Sequence, residues 1–233
     1  MDYADLEAAL APLGLIACGG FHPAQGDGVP PMPDGRAAAS LVLVGNAGAG
    51  LWRHCADAPE FADGGADPLD RWTRRVLEGL AAELGAMALF PFGGPPYLPF
   101  VPWAKRSGPV AESPLGILIH PDYGLWHAYR GALAFPEAIA LPPRDTRPRP
   151  CDRCAEKPCL TACPVHAFTG ASYDVAACVK HISTEAGADC MALGCRARRA
   201  CPVGRDFPYA PPQARFHMDA FRRARLASAG KGR

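Results

Sequence analysis

Four cysteines fall within thirteen residues in the stretch CDRCAEKPCLTACPVHAF, which begins at Cys151, and a proline follows the last of them. Cys178, Cys190, Cys195 and Cys201 complete a set of eight that lies wholly after residue 150. Thiolates this dense either pair as disulfides or hold metal. The acidic start MDYADLEAAL lacks the basic flank of a signal peptide, and no apolar run approaches the roughly eighteen residues that span a bilayer. The chain is therefore expected to stay in the cytoplasm, with no membrane span. Thiols there are kept reduced, so the cluster reads as metal ligands.

The spacing narrows the metal. Cys163 and Cys201 each open a Cys-Pro-Val triplet, as if two half-sites were repeated. The first run, C-x2-C-x4-C-x3-C-P, resembles the C-x2-C-x2-C-x3-C-P of bacterial-type ferredoxins, with two extra residues in its second gap. In that motif three cysteines hold one cubane cluster and the fourth, before proline, reaches across to the other. The same rule here assigns Cys151, Cys154, Cys159 and Cys201 to one [4Fe-4S] cluster, and Cys163, Cys178, Cys190 and Cys195 to a second. Zinc could also consume eight thiolates in two sites. Zinc ribbons, however, pair C-x2-C knuckles, and this chain has a single C-x2-C. Cys18 and Cys55 fall outside the pattern and read as small buried residues.

Charge agrees with an anionic load in this half. Residues 1–145 carry 9 Lys+Arg against 16 Asp+Glu, and residues 146–233 carry 15 against 7. Arg153, Lys157, Lys180, Arg196, Arg198 and Arg199 are interleaved with the cysteines, so the excess is explained without nucleic acid, which is not expected as a partner. His166 and His181 each stand three residues after a cysteine of the set, within reach of a cluster or of solvent.

The proline-rich segment LPPRDTRPRP suits an extended linker and divides the chain into residues 1–143, residues 144–210 with the clusters, and a basic tail, 211–233. Upstream, DYADLEAALAPLG has helical spacing with Gly14 as a stop, and AAASLVLVG reads as a buried strand. DPLDRWTRRVLEGLAAELG is the clearest helix, with Asp67 as cap, Pro68 in the first turn and Gly85 as stop. Leu69, Trp72, Val76, Leu77, Leu80 and Leu84 form its apolar face. AMALF follows as a strand, giving a strand, helix, strand crossover. LGILIHP and YRGALAF read as two further strands joined by DYGLWHA. GNAGAG lacks both the dinucleotide fingerprint and a phosphate-loop lysine, so it reads as a tight turn. The tail is expected to dock on the cluster domain and then fray; an acidic partner or a membrane surface would also suit its charge.

The segment LIHPDYGLWHAYRGALAFPEAIALPP, with LEAALAPLGL and DPLDRWTRRVL before it in the right order, resembles the CblC-type cobalamin-processing proteins. That resemblance implies an α+β, nitroreductase-like sheet covered by helices and a cobalamin held without its lower base. It places Phe92, Tyr97, Trp103, His120, Trp126 and Arg130 near the cofactor. Arg130 would orient an anionic group, and Tyr97 or Tyr123 would supply a proton. The segment CVKHISTEAG after a Cys-Pro motif is similar to epoxyqueuosine reductases, which join a related domain to two iron-sulfur clusters, as reductive dehalogenases do. The implied protein is an oxidoreductase with a C-terminal bacterial-ferredoxin-like two-cluster domain. It would take electrons from an external donor (a flavodoxin, a ferredoxin or a reductase) and pass them to a corrinoid or small-molecule substrate. Two alternatives are a ferredoxin-like carrier with no organic cofactor and a nitroreductase-like enzyme holding FMN or FAD.

Overall fold

The computed structural model describes residues 2–230. In chain order its elements are α1 (Tyr3–Leu10), β1 (Ile16–Phe21), β2 (Ser40–Ala47), α2 (Trp52–Cys55), α3 (Pro59–Ala62), α4 (Pro68–Leu84), β3 (Met87–Leu89), α5 (Phe100–Ser107), β4 (Ala111–Glu112), β5 (Leu118–Ile119), β6 (His127–Phe135), α6 (Pro158–Thr161), α7 (Val175–Ile182), α8 (Ala188–Leu193), α9 (Arg196–Arg199) and α10 (Pro211–Gly230). They gather into two compact units, residues 2–109 with 127–147, and residues 110–126 with 148–230. Among the described residues, no helix is long and apolar enough to cross a membrane.

The first unit is a mixed α and β structure around a four-stranded sheet of order β1-β2-β6-β3, in which every neighbouring pair is antiparallel. β2 is buried through Ser40–Asn46, because α5 packs on β1 and β2 while α4 packs on β3 and β6. A strand covered on both faces reads as a continuous apolar run rather than an alternating one. β2 and β3 are both antiparallel to β6 and so run parallel to each other. The strand, helix, strand crossover is therefore present, with β6 inserted between its strands.

Local chemistry sets the helix limits. α1 starts in a capping box in which Asp2 accepts from the Asp5 amide and Asp5 accepts from the Asp2 amide. The chain then turns at Gly14 with φ +67°. α4 ends at Gly85, φ +64°. Its start differs from expectation: Asp67 sits at φ +47° and its carboxylate makes no capping bond, so Pro68 opens the helix without a side-chain cap. Thr73 and Ala81 share the buried face with Leu69, Trp72, Leu77 and Leu80, while Val76 and Leu84 are half-buried.

α3 is tied to α4 by a two-pronged pair, Arg71 to both oxygens of Asp63 at 2.6 and 2.7 Å, and by Arg75 with Glu60 at 2.5 Å. The Arg71 guanidinium holds the Asp63 carboxyl down to about 2, with the Gly65 amide helping. A carboxyl lowered in the folded chain contributes stability above its ordinary value near 3.8 and loses it as pH falls towards about 2. In an NMR titration, Arg71→Ala is expected to return the Asp63 midpoint close to 3.8. An unchanged midpoint would mean that the pair does not persist in solution.

The second unit takes in residues that sequence reading groups with the N-terminal domain. LGILIHP yields only the two residues of β5, which pairs with β4 in a separate two-stranded sheet and not with β6. The chain then reverses through a bridge between His120 and Gly124. Leu115, Ile119 and Leu125 from this segment form one apolar core with Cys159, Cys163, Ala167, Phe168, Ala197 and Cys201. α10 packs on α7 and α8, which docks the tail. Lys231 and Arg233, at the end of that tail, lie outside the described residues.

Candidate metal centres

Within the second unit the eight cysteines form two groups of four. Cys151, Cys154, Cys159 and Cys201 line one hollow with Ile119, Pro202 and Val203. Cys163, Cys178, Cys190 and Cys195 line the other with Pro164, Val165, Phe168 and His181. Each hollow has a cavity volume of about 20 Å³. Each has two buried thiols, Cys159 and Cys201 in the first, Cys163 and Cys190 in the second, and two half-buried ones.

Two short helices carry the chain from one hollow to the other. Cys159 lies in α6 and faces the first, while Cys163, four residues on, faces the second. α9 has Cys195 of the second hollow at its N-cap, and Cys201 of the first follows its end. The helices pack together with Ala197 fully buried. One helical turn advances the chain by about 5 Å, so the two hollows are close. Each Cys-Pro-Val triplet contributes its proline and valine to the wall beside its own cysteine.

The electrostatics suit a bound cationic core. Burial pushes up the thiols of Cys151, Cys159, Cys178, Cys195 and Cys201, and neighbouring thiolates raise each of them further. Four thiolates in one hollow are thus unfavourable until a metal neutralises them. Donors already point at the sulfurs: the Ala167 amide reaches Cys163 at 3.4 Å, amides of Ala197 and Arg198 serve Cys195, and that of Val203 serves Cys201. Among the described residues, no three His, Cys, Asp or Glu side chains converge closely enough to hold a single ion. The four thiols of each quartet line one shared hollow.

The residues nominated for an organic cofactor are divided between the units. Phe92, Tyr97, Trp103 and Arg130 belong to the first. Trp103 is 1% exposed and donates its indole N–H to the Asp27 carbonyl at 2.7 Å, so it serves the core and offers a ligand no face. Tyr97 is 67% exposed. Phe92 packs on Phe90, with Arg74 over both rings. Arg130 lies 3.6 Å from Asp70, whose carboxyl is raised chiefly by burial. The hollow beside Arg74, Phe90, Gly93 and Gly94 has a volume of about 270 Å³.

His120, Tyr123 and Trp126 belong to the second unit. His120 stacks on Tyr123 and its Nδ1 accepts the amides of Asp122 and Tyr123. Trp126 is 4% exposed, packed on Tyr209 and covered by Arg198. Arg198, which the sequence offers only as one of the cations interleaved with the cysteines, also donates to the Leu125 carbonyl, tying α9 to residues 110–126. Tyr173 was missed in the sequence. Its hydroxyl hydrogen-bonds Cys178, and its ring stacks on Phe168 at 4.4 Å. Cys55 is wholly buried and Cys18 half-buried, both in the first unit, and burial pushes their thiols to about 11 and about 12.

No protein-family model matches the chain, and no curated protein does. Among solved structures, the chain is similar to a crystal structure of epoxyqueuosine reductase with a tRNA-TYR epoxyqueuosine-modified tRNA stem loop, at 15% identity and a TM-score of 0.42, covering 89% of this chain and 67% of that one. It is also similar to a selenomethionine-labelled epoxyqueuosine reductase, at 16% identity and a TM-score of 0.46, covering 90% and 67%. At these values neither an activity nor a site is carried over. The first of those structures holds a nucleic acid, so the expectation that nucleic acid is no partner finds no support in it.

Proposed function

We propose that the chain is an iron-sulfur oxidoreductase whose second unit holds two [4Fe-4S] clusters and passes electrons one at a time to an acceptor. The observation that carries this reading is the grouping of eight thiols into two quartets, each lining one hollow. Bound there, such a cluster supplies one-electron transfer. Cys151, Cys154, Cys159 and Cys201 would hold one, and Cys163, Cys178, Cys190 and Cys195 the other. The chain's own contribution is to exclude water with apolar walls, to meet the sulfurs with amide donors, and to link the two centres through α6 and α9.

A corrinoid is the acceptor class that the CblC-type resemblance implies, with an external donor such as a flavodoxin, a ferredoxin or a reductase. Of the residues nominated for it in the first unit, Trp103 is enclosed and bonded to the Asp27 carbonyl, and we derive no step through a corrinoid. The enclosure of Trp103 favours the second reading, an electron carrier without an organic cofactor.

Anaerobic reconstitution with iron and sulfide tests the main reading. About eight irons per chain are expected, and fewer than about six, or zinc in their place, would overturn it. Titration of that material with cob(II)alamin and then FMN decides the acceptor. New corrinoid or flavin bands that saturate would establish a reductase, and cluster absorbance alone would establish the carrier.

A further inference from the structure

The second hollow contains one polar atom that the protein leaves unpaired. His181 Nε2 is buried and has no hydrogen-bond partner, and His181 lines the hollow with Cys163, Cys178, Cys190 and Cys195. A buried ring nitrogen without a partner is costly, so native structures seldom keep one unless something absent from the protein itself satisfies it. Helix geometry explains the placement. Asp174 caps α7 by accepting from the Ala177 amide, and Cys178 and His181 stand three residues apart on one face of that helix. The other side chains of the wall are those of Pro164, Val165, Phe168, Ile182 and Ala197, which have no acceptor, Met218, whose thioether accepts only weakly, and Arg196, which only donates. The side-chain acceptors in this wall are sulfurs.

We propose that His181 donates its Nε2 proton in a hydrogen bond to a sulfur of the cluster held by Cys163, Cys178, Cys190 and Cys195, and so raises that cluster's reduction potential. This rests on the two-cluster reading. Reduction adds one electron and makes the sulfurs more negative, so a hydrogen bond to sulfur strengthens in the reduced form and favours it. The hydrogen bond requires the ring's proton on Nε2. No bond is broken and no proton is transferred. The Tyr173 hydroxyl on Cys178 gives this same centre a second donor from the opposite side of the sequence motif. The first hollow has no histidine in its wall.

The test is an anaerobic dithionite titration of the reconstituted full chain, followed by electron paramagnetic resonance, for wild type, His181→Leu and His181→Gln. Glutamine reaches as far as histidine and keeps an N–H donor; leucine fills the space without one. We expect His181→Leu to keep its iron and to lower the midpoint of one cluster about tenfold in its reduced-to-oxidised ratio, which is 59 mV for one electron. The other cluster should not move, and His181→Gln should recover most of the shift. Unchanged midpoints in His181→Leu, with iron intact, would overturn the inference while leaving the two-cluster reading standing. So would loss of four irons in both variants, which would make His181 a ligand. A wild-type chain without iron would instead remove the underlying reading.

Discussion

Cys201→Ala is expected to cost the protein about half its iron, from about eight to about four per chain, although this cysteine is 42 residues or more from its three partners in sequence. The reason is geometric. Cys201 follows the end of α9 and closes the hollow that Cys151, Cys154 and Cys159 leave open. Three thiolates from one loop cannot enclose a core that needs four, and Cys201 is among the buried members. The partition gives a sharper test. Cys151→Ala with Cys201→Ala should lose no more iron than either alone, because both remove the same centre. Cys163→Ala with Cys201→Ala should lose nearly all of it. Iron and sulfide analysis with spin quantitation decides. Near-complete loss in the first double variant would mean that the quartets are drawn wrongly.

The second large effect comes from a residue with no side chain. Gly124 has φ +57°, and a Cβ there would lie 2.0 Å from the Val203 carbonyl oxygen; Gly204, at φ +75°, would place one 2.3 Å from the carbonyl oxygen of Tyr123. The two backbones are pressed together where neither can yield without moving the chain beside Cys201. Val203 lines the first hollow and its amide serves the Cys201 sulfur. Gly124→Ala is thus expected to destabilise the protein by about 4 kcal/mol, combining a left-handed backbone with direct overlap. At one scan rate the melting midpoint should fall by about 10 °C. Gly116→Ala is the control. It has φ +75° with nothing within 4 Å, and should cost about 1 kcal/mol, the conformational part alone. If the two variants melt together, the close approach of residues 123–124 to 203–204 is not a feature of the protein in solution.

Much of the first unit follows from local signals. The buried run of β2, the apolar face of α4 and the glycine stops at Gly14 and Gly85 all report the chain within a few residues of themselves, so periodicity and φ preference suffice. Asp67 marks where this fails: its type suits a cap, but a left-handed backbone turns its carboxylate away from the amides it would bond. The aromatic nominations are hard to read from sequence for a related reason. Trp103 and Trp126 have the same composition whether they face a ligand or a core, and only their neighbours, Asp27 for one, Tyr209 and Arg198 for the other, show that both are committed to packing. DYGLWHA reads as a hairpin turn because it lies between two apolar runs. The strand before it belongs instead with β4.

What the sequence alone determined is the inventory of chemistry: eight thiols, the spacing that divides them into two quartets, and the prolines that follow Cys163 and Cys201. Spacing carries this information because ligands must wrap a core of fixed size over a short length of chain. Tertiary structure alone decided that residues 110–126 build the wall behind those thiols, that Gly124 and Gly204 must be glycine, and that His181 faces the second hollow with its ring nitrogen unpaired. Those features depend on segments that meet only after folding, and no local pattern of residue types records which distant backbone will arrive beside them.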